Sequence, residues 1–336
     1  MWFQKLTGFT EESHKQVQSN ISIEDGVLKS LVNGKTYHCG RLEIPTLEEL
    51  REQFDANIFN SKAQLKLSEV IGDVKVFYND KANAGAMFQV ASQFNLLEMV
   101  DPYRTPEAGV DIYEYDATQG PASAVACGAG TIYRNYFVEV NGRVGQTSDN
   151  QVDCLKDIGD ELGNINNKLW EMSNGYALIT EDGIEEINNQ LSKMDKEQYN
   201  ALKSKLRVGI QWNTEVILNN RKDIVNQVYC SALPVSYSEV PGYLWEKFAR
   251  LILEATYEAT FYAALINYQK TGNNKLFLTL VGGGAFGNKM EWVTDAIRNS
   301  LEMFRNTPLD VKIVSYSRSK KEVRDLVENL WQNTPQ

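Results

Sequence analysis

In the last third of the chain, apolar residues recur at helical spacing and alternate with short, nearly continuous apolar runs. Residues 243–269 carry Leu244, Phe248, Leu251, Ile252, Ala255, Tyr257, Phe261, Leu265 and Ile266 at helical spacing. Residues 290–305 do the same with Trp292, Val293, Ile297, Leu301 and Phe304, and residues 319–331 with Val323, Leu326, Val327 and Leu330. This spacing predicts amphipathic helices. The runs at 276–281, 311–315, 227–233 and 86–91 are nearly continuous, as strands buried on both faces are. Residues 69–77 read as another strand, interrupted at Gly72-Asp73. Alternating strands and helices predict a layered α/β fold.

Elsewhere the signal is weaker. Asn33-Gly34 and Asn141-Gly142, each between apolar stretches, predict hairpins. Thr46 is placed to cap a helix beginning near Leu47. Helices are expected at 121–136, with Pro121 in the first turn, and at 152–162 and 184–191. Residues 1–60 start as a polar segment and hold too few apolar side chains for a core of their own. They read as an accessory layer with a hairpin extension. Residues 137–220 read as an insertion, which leaves 65–136 and 225–331 as the core of a single domain.

The 336 residues carry a formal charge of -10. That balance argues against coating a nucleic acid, which needs a basic surface. No apolar run reaches the roughly 18 residues that span a bilayer, and Met1-Trp2-Phe3-Gln4-Lys5 does not begin a signal peptide. A cytoplasmic location without membrane contact is the expectation. The two histidines, His14 and His38, are too few for a His-rich metal centre. Cys39, Cys127, Cys154 and Cys230 lack metal-ligand spacing. Chemistry is left to carboxylates, amides, hydroxyls and backbone dipoles. No cofactor is expected, although carboxylates could hold Mg²⁺.

The sharpest motif is Gly282-Gly283-Gly284-Ala285-Phe286-Gly287-Asn288, between an apolar strand and a helix. Glycines let backbone amides approach a ligand, and the following helix presents its positive end, which suits a diphosphate. The alternative is a tight turn. Asp73, after the 69–72 run, could accept from the exocyclic amine of an adenine or simply cap a turn. Gln93 and Asn95, after the 86–91 run, suit ribose hydroxyls or ordinary loop contacts. In the acidic stretch Asp111-Ile112-Tyr113-Glu114-Tyr115-Asp116, read as extended, Glu114 and Asp116 share one face and Asp111, Tyr113 and Tyr115 the other. Glu98, Asp101 and Glu107 lie upstream. Crowded carboxylates beside an anion site raise one pKa, which is how a general acid is made. A solvated acidic loop is the plainer alternative.

Taken in order, these motifs resemble the macrodomain and poly(ADP-ribose) glycohydrolase superfamily. Gly72-Asp73-Val74 resembles its Gly-Asp-Ile/Val motif, and Ala91-Ser92-Gln93-Phe94-Asn95 its strand-end segment. Thr118-Gln119-Gly120-Pro121 sits where the glycohydrolases carry Gln-Glu-Glu, and Gly283-Gly284-Ala285-Phe286-Gly287-Asn288 is similar to the superfamily's second phosphate loop. The set spans about residues 68–316. The resemblance implies a three-layer α/β/α fold with a mixed sheet and a cleft for ADP-ribose. It puts Asp73 and Val74 at adenine, Gly282 to Asn288 on the phosphates, and Gln93, Asn95 and Gln119 near the distal ribose. Two departures stand out. Gly120-Pro121 replaces the catalytic glutamate pair, and Asn95-Leu96-Leu97-Glu98 stands in place of an upstream triglycine. Another carboxylate is then required, and the expected order is Asp116, Asp111, Asp101. The expected activity is hydrolysis of an ADP-ribosyl linkage on a protein or small molecule, with a non-catalytic reader of ADP-ribose as the alternative.

Overall fold

The computed structural model describes residues 1–55 and 63–329. Seven strands form the central sheet, in the order Arg41–Glu43, Gly209–Glu215, Ile224–Cys230, Met87–Ala91, Lys275–Leu278, Asp310–Ser315, Lys66–Ile71. The last five are parallel. Strand 209–215 runs antiparallel to both of its neighbours, so the sheet is mixed. The apolar runs read from the sequence supply the parallel part. Strands 41–43 and 209–215 come from the segments read as accessory layer and insertion, so the sheet reaches into both.

Alternation along the strands divides the core in two. Leu276, Leu278, Val311 and Ile313 face a helical layer built on Glu246–Thr271 and Met290–Met303. Phe88, Phe277 and Val314 face the opposite layer, with helices Val74–Tyr78, Gln119–Ala126 and Gly128–Tyr136. Helices on both faces of one sheet make a three-layer α/β/α fold. Tyr78, Phe88 and Phe277 stack with ring centroids 4.0 and 4.5 Å apart. Each such buried side chain contributes about 1.5–3 kcal/mol by leaving water.

Several expectations are corrected. Residues 74–77 are helical, because Asp73 caps the turn by accepting from the Lys75 N–H at 2.9 Å. The stretch Asp111–Tyr115 is a 3₁₀ helix, so its side chains do not alternate. The helix expected at 121–136 breaks at Cys127 into two, and that expected at 152–162 begins only at Lys156. The opening is not merely polar. Helices Trp2–Thr7 and His14–Asn20 precede the Asn33-Gly34 hairpin, and Trp2, Phe3 and Leu6 pack against Val125 and Ile132. The Asn141-Gly142 hairpin is present. Thr46 and Glu49 form a reciprocal cap on Leu47–Gln53. The helix expected at 319–331 is described as Lys321–Asn329, and Leu330 lies outside the described residues. No described helix is long and apolar enough to cross a membrane.

Candidate functional site

The parallel strands end at one edge of the sheet, and the loops that follow them line a cleft of about 250 Å³. Clefts of open α/β sheets form at this edge, where helix N-termini and loop amides point outward. Ser92 and Gln93 follow strand Met87–Ala91, Ala232 follows Ile224–Cys230, Thr279 to Phe286 follow Lys275–Leu278, and Tyr316 follows Asp310–Ser315.

The glycine loop forms one wall. Gly282 and Gly287 have φ of 74° and 72°, and an added Cβ would lie 2.5 Å from the Ala232 Cβ or 1.9 Å from the Ser236 Oγ. Those two glycines are required by the fold. Gly284 is different. A Cβ there would meet nothing within 4 Å, and its φ is not positive. Gly287 N–H donates to the Gly284 carbonyl, and Asn288 N–H to the Gly282 carbonyl. Among the described residues nothing accepts from the amides of Gly284, Ala285 or Phe286. Three consecutive free amides therefore border the cleft, just before the Met290–Met303 helix, whose Lys289 cap position offers no side-chain acceptor.

Asn288 is buried and clasps this loop from behind, donating to the Leu233 carbonyl at 2.8 Å. Phe286 is held by Tyr176 and Tyr237, with ring centroids 5.3 and 5.6 Å away. Tyr176 belongs to the hairpin Trp170–Ser173/Tyr176–Ile179, whose Gly175 carbonyl accepts from the Phe94 N–H. The middle of the chain thus builds part of the cleft wall. Glu69 organises the remaining edge. Its carboxylate accepts from the Ser315 and Ser319 hydroxyls, both at 2.6 Å, and from the Lys320 N–H. Lys320 is the only lysine or arginine among the described residues lining the cleft.

The residues expected near a distal ribose divide. Gln93 and Gln119 line the cleft, and the side-chain oxygen of each is engaged, while Gln119 Nε2 has no partner among the described residues. Gln93 Oε1 accepts from the Met99 N–H at 2.6 Å. Gln119 Oε1 accepts from the Val74 N–H at 2.7 Å, which ties the two helix N-termini together and occupies Val74's donor. Asn95 is fully buried outside the cleft, donating to Gln151 and accepting from the Leu97 N–H. Asp73 and Val74 do not line the cleft.

The three carboxylates expected to be catalytic beside Gln119 are scattered as well. Asp116 lines the cleft beside Gln119, with one oxygen accepting from the Thr118 N–H at 2.8 Å. Asp101 closes a turn through the Tyr103 and Arg104 amides. Asp111 is buried against the first helix and accepts from the Phe3 N–H. Burial raises its pKa, but it is not among the cleft residues.

Glu98 was not singled out as an acid from the sequence, yet it lines the cleft at 6% exposure. Among the described residues no hydrogen bond reaches its carboxyl, and Oε1 is fully enclosed. A Cβ on Gly120 would lie 2.6 Å from its Oε2 and 2.4 Å from the Ala91 carbonyl oxygen. The first turn of helix Gln119–Ala126 therefore presses directly on this carboxyl. Burial pushes Glu98 well above the usual carboxylate range. The Arg134 guanidinium opposes that shift, and the charge of Asp116 adds to it. The available sequence signal was a lone carboxyl within Phe94-Asn95-Leu96-Leu97-Glu98-Met99-Val100. No three His, Cys, Asp or Glu side chains among the described residues are grouped to hold a metal ion.

No protein-family model and no curated protein matches the sequence. Among solved structures, the chain is similar to poly(ADP-ribose) glycohydrolase from Deinococcus radiodurans in complex with ADP-ribose. The TM-score is 0.46 and the identity 11%, over 86% of this chain and 94% of that one. It is also similar to the Thermomonospora curvata glycohydrolase bound to the inhibitor ADP-HPD, with TM-score 0.42 and 9% identity over 94% and 96% of the two chains.

Proposed function

We propose that the cleft binds an ADP-ribosyl group and hydrolyses its linkage to a protein or small molecule. The observation that carries this reading is the run of free amides at Gly284, Ala285 and Phe286 in a cleft that Glu98 and Asp116 also line. Amides without acceptors, ahead of a helix N-terminus, suit a diphosphate. Lys320 adds one positive charge. Glu98 and Asp116 line the same cleft as the loop and supply the carboxyl groups that chemistry at a glycosidic carbon needs. Binding energy at the phosphates would then orient the reacting carbon. Gly120-Pro121, in place of a glutamate pair, favours a second reading as a non-catalytic reader.

Calorimetric titration with ADP-ribose tests the binding reading, and turnover of a panel of ADP-ribosylated substrates separates hydrolase from reader. Gly284→Val is the sharpest variant. The fold leaves space for the side chain, so stability should stay within about 0.5 kcal/mol, while ADP-ribose binding is lost. A variant that binds normally removes the diphosphate from this loop.

A further inference from the structure

We infer that Glu98 is the proton donor of this cleft and takes the place of the glutamate pair that the chain lacks. The inference rests on the ADP-ribosyl reading and assigns the acid within it. Three of the carboxylates expected from the sequence are less suited by position. Asp101 and Asp111 do not line the cleft, and Asp116 is partly exposed and committed to the Thr118 amide. Glu98 alone is buried, unbonded and at the cleft surface.

The surroundings of Glu98 explain how it keeps a proton and where it can deliver it. Its own N–H donates to the Tyr113 hydroxyl at 3.1 Å, which anchors the backbone. Arg134 is buried nearby, but its donors go to the Leu96 carbonyl, to Gln211 and to the Thr131 hydroxyl. Its cation stacks on Tyr229 at 3.5 Å. No direct ion pair therefore discharges the acid. The charged and titratable groups around Glu98 are Asp116, Arg134, Tyr113, Tyr176 and Tyr229. Burial outweighs Arg134 and favours the neutral form. Gly120 permits the helix to approach Oε2, and any larger residue there would push the acid aside.

The step balances without a co-reactant. The bond from the distal ribose C1″ to the leaving atom breaks, and its electron pair goes to that atom. The leaving atom takes the Glu98 proton. Water adds to C1″, and its surplus proton returns to the Glu98 carboxylate. The products are ADP-ribose and the protonated leaving group.

The test uses the full chain with methyl and para-nitrophenyl ADP-ribosides. The nitrophenolate departs without a proton, whereas methoxide does not. Glu98→Gln should lose at least about a hundredfold in turnover of the methyl riboside. On the nitrophenyl riboside it should stay within about tenfold of wild type, with ADP-ribose affinity retained. Equal losses on both ribosides, or none on either, overturn the assignment. Should Glu98→Gln fail to fold, the wild-type pH profile decides. Methyl riboside turnover falls on the alkaline side if Glu98 is the acid, and a flat profile overturns it. A wild-type chain that binds ADP-ribose but cleaves neither riboside also overturns it and leaves the binding reading intact. Failure to bind ADP-ribose at all strikes that reading instead.

Discussion

Glu98 and Glu258 are both buried glutamates, one in the cleft at the strand ends and one in a helical layer, and their surroundings differ. Glu258, on helix Glu246–Thr271, is 2% exposed and lies 2.7 Å from Arg51 and 2.9 Å from Lys203. Those cations come from helices Leu47–Gln53 and Lys196–Ser204, so one carboxylate joins three helices. Glu98 has no such partner, although the Arg134 cation is buried close by. A buried carboxyl without partners costs stability and is driven towards its neutral form. The helical layer buries a charge and balances it. The cleft buries an acid and leaves its proton available.

The largest effect expected from this contrast is on stability. Glu258→Ala would strip Arg51 and Lys203 of the carboxylate they share, at a cost of about 3–5 kcal/mol. Glu98→Gln should leave stability at pH 7 unchanged or higher. Urea unfolding of both variants measures the difference. Equal destabilisation would mean that Glu98 is a structural residue, and the contrast would collapse.

A smaller effect concerns how the helix reaches the acid. Gly120→Ala places a Cβ against the Ala91 carbonyl and the Glu98 carboxyl, and the overpacking should cost about 1–3 kcal/mol. Turnover should fall along with stability. An unchanged melting temperature would show that the helix does not press on Glu98 and would remove the packing argument for its position.

What was legible in the sequence follows the range of the forces involved. Strands 87–91, 275–278 and 310–315 are covered on both faces, so burial writes a largely apolar run into each. The Thr46 cap and the two Asn-Gly turns are local hydrogen-bond or backbone devices and were readable for that reason. Val74-Lys75-Val76-Phe77 has the β-branched look of a strand, but the Asp73 cap and the Gln119 contact from 45 residues away make it a helix. The glycine loop was readable as a ligand candidate, yet only packing separates Gly284 from the structurally required Gly282 and Gly287. Glu98 was the hardest to read. Its burial depends on Gly120 and Tyr113, which lie on other elements. Asp116 does line the cleft, while Asp101 and Asp111 are drawn away by a local turn and by the first helix.

The smallest effect is a pH dependence, and its sign is specific. An unfolded glutamate has a pKa of about 4.3, and burial raises Glu98 above that in the fold. Between the two values the native state holds a proton that the unfolded state has released, so stability falls as pH rises through this window. Glu98→Gln holds no titrating proton there, so the variant should gain on wild type as pH rises from about 4.3. Below that value, one neutral side chain replaces another at a site with no hydrogen bond to lose, and the two proteins should agree within about 1 kcal/mol. Glu11 and Asp153 are also raised by burial, Asp153 to about 6, and impose the same downward slope. They are present in both proteins and cancel in the difference. Urea unfolding across pH 5 to 8 reads that difference directly. A gap that does not change with pH would mean that Glu98 titrates like an exposed carboxylate, and the cleft would then hold no stored proton.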